Sequence, residues 1–514
     1  MVVNSLDKSL YNTYANSMEF SSSMIQKILL LFPPAYSFKS SRDISPLPPM
    51  GLGYLSSNAK KHGFDVTIFD SLLEGWHSEE ETDKDNIVKI GSSDAEIATV
   101  IREYKPDLIG VSCQFSRQFK IYPQIFALIK SIDKNIITIA GGAHVTVLPQ
   151  DMLLDPNCDY ILQGEAEESF VAFLHALNNN TPLTDVDGLG FKNSDGESII
   201  NQKNKWVADL DSLPFPDYDA MGLRRYFGLV ASHGTRHEAE YTPVITSRGC
   251  PARCTFCSAN KVWGWKYRAR SIENVIAELR MLKDKYGIKE IMFEDDNVTA
   301  NRKFAAGLFS RMIEEKFNFI WDTPNGVGIW TINEEIIDLM KASGCIKLNF
   351  PIESGSQRVL TEVVQKPLDL DHVARLIRHC QKIDLDYGIF LVVGMPGETI
   401  QDIWTSFKYC VNVGCYNPLV SIATPYPGTK LFDECIEKGY FSREFALDDL
   451  FTSSFMLKTP HWDEKSLRNT MLYGKIYLTL APLLKKPWLV FSIFARLLMR
   501  SRFIFSYIKK IIGS

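Results

Sequence analysis

The chain has ten cysteines in 514 residues but no regular spacing that would join them into a disulfide framework. A secreted, disulfide-stapled scaffold is therefore excluded, and a reducing, cytoplasmic setting is expected. The first twenty residues lack a basic flank followed by an apolar run, so no secretory signal is read there. No apolar stretch runs uninterrupted for the roughly 20 residues that a bilayer-spanning helix needs. With a net charge of -5, nucleic acid is not an expected partner. Acidic residues are missing from one region only: residues 471–514 hold eight Lys or Arg and no Asp or Glu. Arg496, Arg500 and Arg502 interrupt the apolar runs of this tail. It reads as an interfacial helix giving peripheral contact with the inner face of a membrane, or else as a terminal helix capping the domain before it.

What is present is a long alternation of strands and helices. Lys27 to Phe32 form a continuous apolar run stopped by Pro33-Pro34, too short for a helix and suited to a strand buried on both faces. Similar runs recur at 66–69, 108–112, 136–140 and 160–162. Between them lie helical patterns such as Phe170, Phe173, Leu174 and Leu177. The expected fold class is α/β, with a doubly wound, Rossmann-like sheet over 25–182. A linker with a small hairpin follows over 183–240. Six further strand-helix units over 241–435 are too few to close an eight-stranded barrel, so an open (β/α)6 partial TIM barrel is expected, followed by a helical region over 436–514.

The barrel begins with the most specific motif in the chain, Cys250-x3-Cys254-x2-Cys257. Three thiolates on one loop can hold three irons of a cubane 4Fe-4S cluster and leave the fourth iron open to a second ligand. A zinc knuckle is the alternative, and it would need a fourth ligand. The other seven cysteines show no second cluster spacing and read as small buried apolar residues. In a barrel of this kind, chemistry sits at the C-terminal strand ends. Those ends carry Glu294-Asp295-Asp296-Asn297, Glu353-Ser354-Gly355, Gly394-Met395-Pro396-Gly397 and Pro425-Tyr426-Pro427-Gly428. Asp296 and Asn297 are read as the cap and first turn of the next helix. Arg248 and Arg253 flank the cysteines, and their positive charge would favour thiolates or serve in surface salt bridges. Trp263, Trp265 and Tyr267 follow the loop, as covers for a bound group or as core.

This pattern, with the aromatic Phe256 before the last cysteine, resembles the radical S-adenosylmethionine (SAM) superfamily, and the glycine-rich strand ends upstream resemble the cobalamin-binding domain that precedes many of its members. The resemblance implies three cofactors: a 4Fe-4S cluster on Cys250, Cys254 and Cys257, which are at once its metal ligands and the catalytic residues, then SAM, then cobalamin. It implies SAM contacts by Phe256, Glu294, Asp295, Glu353, Gly394, Pro425 and Tyr426, with Glu353 on the ribose. For cobalamin it implies Met50, Gly51, Leu52, Ser112, Gly141, Gly142, Gly164 and Glu165. The loop from Pro33 to Met50 holds no histidine, so a histidine lower ligand from that position is not expected. His144 is read as a loop or capping residue. The implied activity is reductive cleavage of SAM to a 5′-deoxyadenosyl radical and C-methylation of a small, lipid-like or natural-product substrate. Electrons would come from a donor such as flavodoxin or ferredoxin. A radical oxidative cyclase resembling the anaerobic Mg-protoporphyrin monomethyl ester cyclase, and a non-catalytic cobalamin-binding regulator, stand as alternatives.

Overall fold

The first apolar run, as expected, is a strand at the centre of a sheet. We number the main strands β1 (Lys27–Phe32), β2 (Asp65–Asp70), β3 (Leu108–Ser112), β4 (Ile137–Gly141), β5 (Tyr160–Leu162), β6 (Leu189–Lys192) and β7 (Ser198–Ile200). In this computed structural model, which describes residues 24–485 apart from 41–43, 83–85, 230–233, 235, 448–449 and 452–453, they form one sheet in the order β7-β6-β5-β4-β3-β1-β2. The first five strands are parallel. Leu29, Leu30 and Leu31 are buried because helices cover both faces of β1, which is why the run does not alternate with polar residues. The order 2-1-3-4-5 of these strands places a topological switch point between β1 and β3, and ligands of such sheets bind beyond the carboxyl ends there.

The hairpin expected in the linker belongs instead to this sheet. β6 pairs antiparallel with β5, so the sheet ends at Ile200 rather than near 182. A small antiparallel sheet of Ala35–Phe38, Ile87–Ile90 and Glu79–Glu81 was not foreseen; its strands are too short and too charged to stand out by pattern.

The second half contributes β8 (Tyr241–Val244), β9 (Glu290–Phe293), β10 (Ile320–Asp322), β11 (Cys345–Glu353), β12 (Asp386–Val393) and β13 (Leu419–Ile422). They pair in sequence order, all parallel, and β8 does not pair with β13, which leaves an open six-stranded barrel. Trp321 is fully buried, stacked on Phe309 at 5.0 Å and edge-on to Phe293 at 5.2 Å. The connector joins this core rather than crossing solvent: Val207, Leu210, Leu213, Tyr218, Met221 and Leu223 are buried in it.

Beyond the barrel the chain is not continuously helical. The helix Lys430–Glu437 is followed by an irregular stretch with two isolated bridges, and then by the helix Glu464–Lys485. A Cβ at Gly474 would strike the Phe407 ring, so the missing side chain lets this last helix lie directly on Ile400–Asn412. No helix among the described residues is long and apolar enough to cross a membrane. The basic tail from 486 onward lies outside the described residues.

Candidate active site

The cluster loop leaves β8 and is pinned at its base. Ser247–Arg248 pairs antiparallel with Arg268–Ala269, closing the loop into a self-contained excursion. Gly249 makes the first turn with φ +82°, where a Cβ would also crowd the Lys266 carbonyl. The middle of the loop is braced across the barrel mouth. Thr255 donates from its N–H to the Val364 carbonyl (3.0 Å) and from its hydroxyl to that of Val363 (3.0 Å), and its own carbonyl accepts from Leu431 N–H (3.0 Å).

The three motif cysteines are half-buried, whereas the other seven are buried. Burial pushes the Cys254 thiol up to about 12 and that of Cys257 to about 11, so the polypeptide alone leaves them protonated. A bound metal cation supplies the charge that removes those protons. Among the described residues no three candidate ligands converge as they would around a single ion.

Around the thiols lie groups with unmet polarity. Asp296 faces Cys250 and Cys257, its Oδ2 is buried without a partner, and burial together with neighbouring Asp295 raises its pKa to about 6. Asn297 accepts from Gly328 N–H (2.9 Å), and its amide nitrogen also lacks a partner. The expectation that Asp296 and Asn297 cap a helix is therefore overturned: the helix Arg302–Glu314 is capped by Asn301. Asp295 turns inward, accepting from Thr246 N–H (3.1 Å), Thr246 Oγ1 (2.8 Å) and Ser247 Oγ (2.5 Å), and so ties down the loop base. Glu294 accepts from Asn325 Nδ2 at 3.2 Å.

Glu353 ends β11 with φ +65° and is paired with Lys366, whose Nζ is 2.8 Å away and also donates to the Pro351 carbonyl. Lys366 is buried, and its charge favours the ionised forms of Cys250 and Cys254. Lys366 was not among the expected site residues. A lone lysine before a proline in an apolar turn was the available signal. Phe256 packs partly buried against the barrel core. Pro425 is buried, and Tyr426 lies near Arg117 of the N-terminal domain. At Gly394 the backbone has φ +81°, and a Cβ there would meet Leu467 at 2.9 Å, so its small size makes room for the last helix.

Arg248 is neither exposed nor paired with the thiols. It is buried between the rings of Tyr54 (4.9 Å) and Trp263 (5.1 Å), and its guanidinium binds Glu165 and Glu167 (2.7 Å) of the N-terminal domain. Arg268 joins the same Glu165 at 2.7 Å, and Val207 N–H donates to it at 2.7 Å. Glu165 is thereby held in a buried four-charge lock between the domains. Gly164 packs on Lys203 and Val262, Leu52 lies in the N-terminal core and Met50 in the barrel core. These three serve packing as well.

Gly51, Ser112, Gly141 and Gly142 remain at the switch-point end. Space is open around the Cα of Gly51, in the first turn of the helix Met50–Lys61. Ser112 pairs with Gly141 across β3 and β4. Gly142 has φ +112°, and a Cβ on it would lie 2.7 Å from the Cys113 carbonyl oxygen. His144 is buried, contacts Ser116 Oγ at 3.1 Å, and is held neutral by burial, its pKa lowered to about 4.

Two family models match the chain, the B12 binding domain over residues 45–174 and the radical SAM superfamily over 244–410. A cytidylyl-2-hydroxyethylphosphonate methyltransferase of Streptomyces wedmorensis is 32% identical over 86% of this chain and 88% of its own length. The chain belongs to the cobalamin-binding radical SAM enzymes. An uncharacterized methyltransferase of Pyrococcus horikoshii is 31% identical to this radical SAM enzyme over 80% of the chain and 83% of its own length, and an anaerobic magnesium-protoporphyrin IX monomethyl ester cyclase of Rubrivivax gelatinosus is 23% identical over 80% and 70%. Among solved structures, the radical SAM methyltransferase TsrM of Kitasatospora setae, with cobalamin and a [4Fe-4S] cluster bound, shares the fold at TM-score 0.64 and 17% identity over 80% of this chain and 78% of that one. The cobalamin-dependent radical enzyme OxsB does so at 0.66 and 15%, over 87% and 66%. The cofactors of this radical SAM enzyme are the 4Fe-4S cluster, SAM and cobalamin, and the three half-buried thiols with the unpartnered Oδ2 of Asp296 beside them fit the first two.

Proposed function

We propose that this protein is a cobalamin-dependent radical C-methyltransferase acting on a polar small molecule. One observation carries the reading: the loop of Cys250, Cys254 and Cys257 is tied through Arg248 to the carboxylates that follow β5, so the carboxyl ends of the two sheets are held against each other. The lipid-like substrate expected from the tail has no support among the strand-end side chains, since Asp296, Asn297 and Thr323 are all polar and each has a buried atom without a partner. Such groups favour a ligand that can hydrogen-bond to them. The two relatives above 30% identity are methyltransferases, which favours methylation over the cyclisation of the less similar relative.

When bound, the cluster and SAM supply a radical that removes hydrogen from an unactivated carbon, and cobalamin supplies the methyl group. The chain's own residues do the rest. Cys250, Cys254 and Cys257 hold three irons. Lys366 provides the buried cation for a carboxylate such as that of SAM, and Glu353 accepts hydroxyl donors. The braced loop fixes their register. Electrons enter from an external carrier.

Anaerobically reconstituted protein given SAM with a deuterated methyl group tests the proposal. Label in the product is expected, and 5′-deoxyadenosine formed without label would mark oxidation or cyclisation instead. Alanine at Cys250, Cys254 and Cys257 together should abolish 5′-deoxyadenosine release; release at the native rate would overturn the reading.

A further inference from the structure

Beside the cluster loop lies an open groove of about 690 Å3 between the connector and the helix Ala259–Trp263. Its lining includes five cations and three tryptophans and no carboxylate, on a chain whose net charge is -5. Two of the cations are neutralised, Lys203 by Asp187 at 2.8 Å and Arg268 by Glu165. Lys205, Lys261 and Lys266 are exposed and pair with no carboxylate among the described residues. Trp265 is 44% exposed, with the Arg253 guanidinium of the cluster loop 5.6 Å from its ring centre. The wall is rigid, since Trp206 Nε1 donates to the Val262 carbonyl at 3.1 Å. It is also in direct contact with the cluster loop: Asn260, which lines the groove, donates to the backbone carbonyl of Cys257 at 3.2 Å.

We propose that this groove is the docking surface for an acidic, low-potential flavoprotein that carries one electron at a time. The inference rests on the radical mechanism proposed above. This chain carries one cluster motif, and its seven remaining cysteines are buried and show no second cluster spacing, so the sequence offers no second thiolate-bound centre for an electron to pass through. It enters from outside, and the groove is a solvent-facing surface hydrogen-bonded to a cluster-ligand residue. Exposed lysines around an aromatic floor suit a protein partner better than a small anion. They steer an oppositely charged surface into register without converging on one point, and the exposed Trp265 gives that surface an apolar anchor. In the docked complex the carrier loses one electron and the cluster gains one, and no bond changes at that step.

The test uses the reconstituted full chain, an acidic flavodoxin, and the triple variant Lys205→Glu, Lys261→Glu, Lys266→Glu. Two quantities are measured: affinity for the oxidised flavodoxin at low and high salt, and the rate at which cluster absorbance bleaches with reduced flavodoxin or with photoreduced deazaflavin, a small reductant. Charge reversal should weaken binding and slow flavodoxin-driven bleaching by about tenfold or more, erase the salt dependence, and leave the deazaflavin rate unchanged. Should reversal prevent folding, the Lys→Gln triple variant is expected to shift both quantities the same way by less. An unchanged flavodoxin rate overturns the proposal, as does an equal loss with deazaflavin. So does a variant that loses affinity for a single-stranded oligonucleotide but not for flavodoxin. If wild-type protein reduced by deazaflavin releases no 5′-deoxyadenosine, the radical mechanism fails on its own, and the binding measurement still judges the groove.

Discussion

The parallel strands of the two sheets obey one rule, with ligands beyond their carboxyl ends, but the sheets furnish those ends differently. The barrel ends are rich in side-chain chemistry: three half-buried thiols, Asp296 and Asn297 with unpartnered atoms, and the Lys366–Glu353 pair. The N-terminal ends offer mostly backbone and space, with Gly51, Gly141 and Gly142 beside Ser112, and His144 already engaged and neutral. One half is built to hold charge and do chemistry, the other to let a large, rigid ligand approach the main chain. The difference teaches that a substitution should affect charge and reactivity in the barrel but shape in the sheet.

Arg248→Met should have the largest effect, because it leaves Glu165 and Glu167 buried with one partner fewer. A loss of about 3–5 kcal/mol in chemical denaturation is expected, and a loss below about 1 kcal/mol would show that the two halves do not depend on the lock. Lys366→Met comes next. It strands Glu353, at a cost of about 3 kcal/mol, and should weaken SAM binding. Adding Glu353→Gln should recover stability but not SAM affinity; recovery of both would reduce the pair to a structural role. Gly142→Ala addresses the sheet. The left-handed backbone and the Cys113 carbonyl make it cost about 1–3 kcal/mol, and cobalamin retention should fall while cluster absorbance stays intact. If both fall together, the contrast between the halves is wrong.

The smallest effect concerns acidity. Burial raises Glu398 from 4.5 to about 8, against the lowering effect of Gly394 and Met395 N–H groups. Its folded form thus binds a proton more readily than the unfolded chain. The stability it contributes is full below about pH 4.5 and is lost as pH rises through about 8. Glu398→Gln should therefore flatten the fall in melting temperature between pH 6 and 9; an unchanged slope would show that this carboxyl is not protonated in the folded protein.

The fold was legible wherever burial on two faces produced continuous apolar runs, as in β1, β3, β4 and the barrel strand β9. The hairpin β6–β7 was recognised, but its partner was not, because edge pairing leaves no local mark. The cysteine motif was legible because its chemistry fixes its spacing. The acids next to it were not. Asp295 and Asp296 are equivalent in sequence, and only the course of the backbone after β9 sends one under the loop and the other toward the thiols. Glu165 and Arg248 also misled, since residues 83 positions apart give no sign that they pair.

Two arginines and two glutamates sealed between the halves also constrain how such a chain can be assembled. The barrel brings both guanidinium groups and the N-terminal half both carboxylates. Separated near residue 240, each fragment would present like charges on a face shaped to stay dry, and grafting either onto a foreign partner would leave them unmatched. The two modules are thus heritable only as a couple, and recombination that shuffles one must carry the other with it.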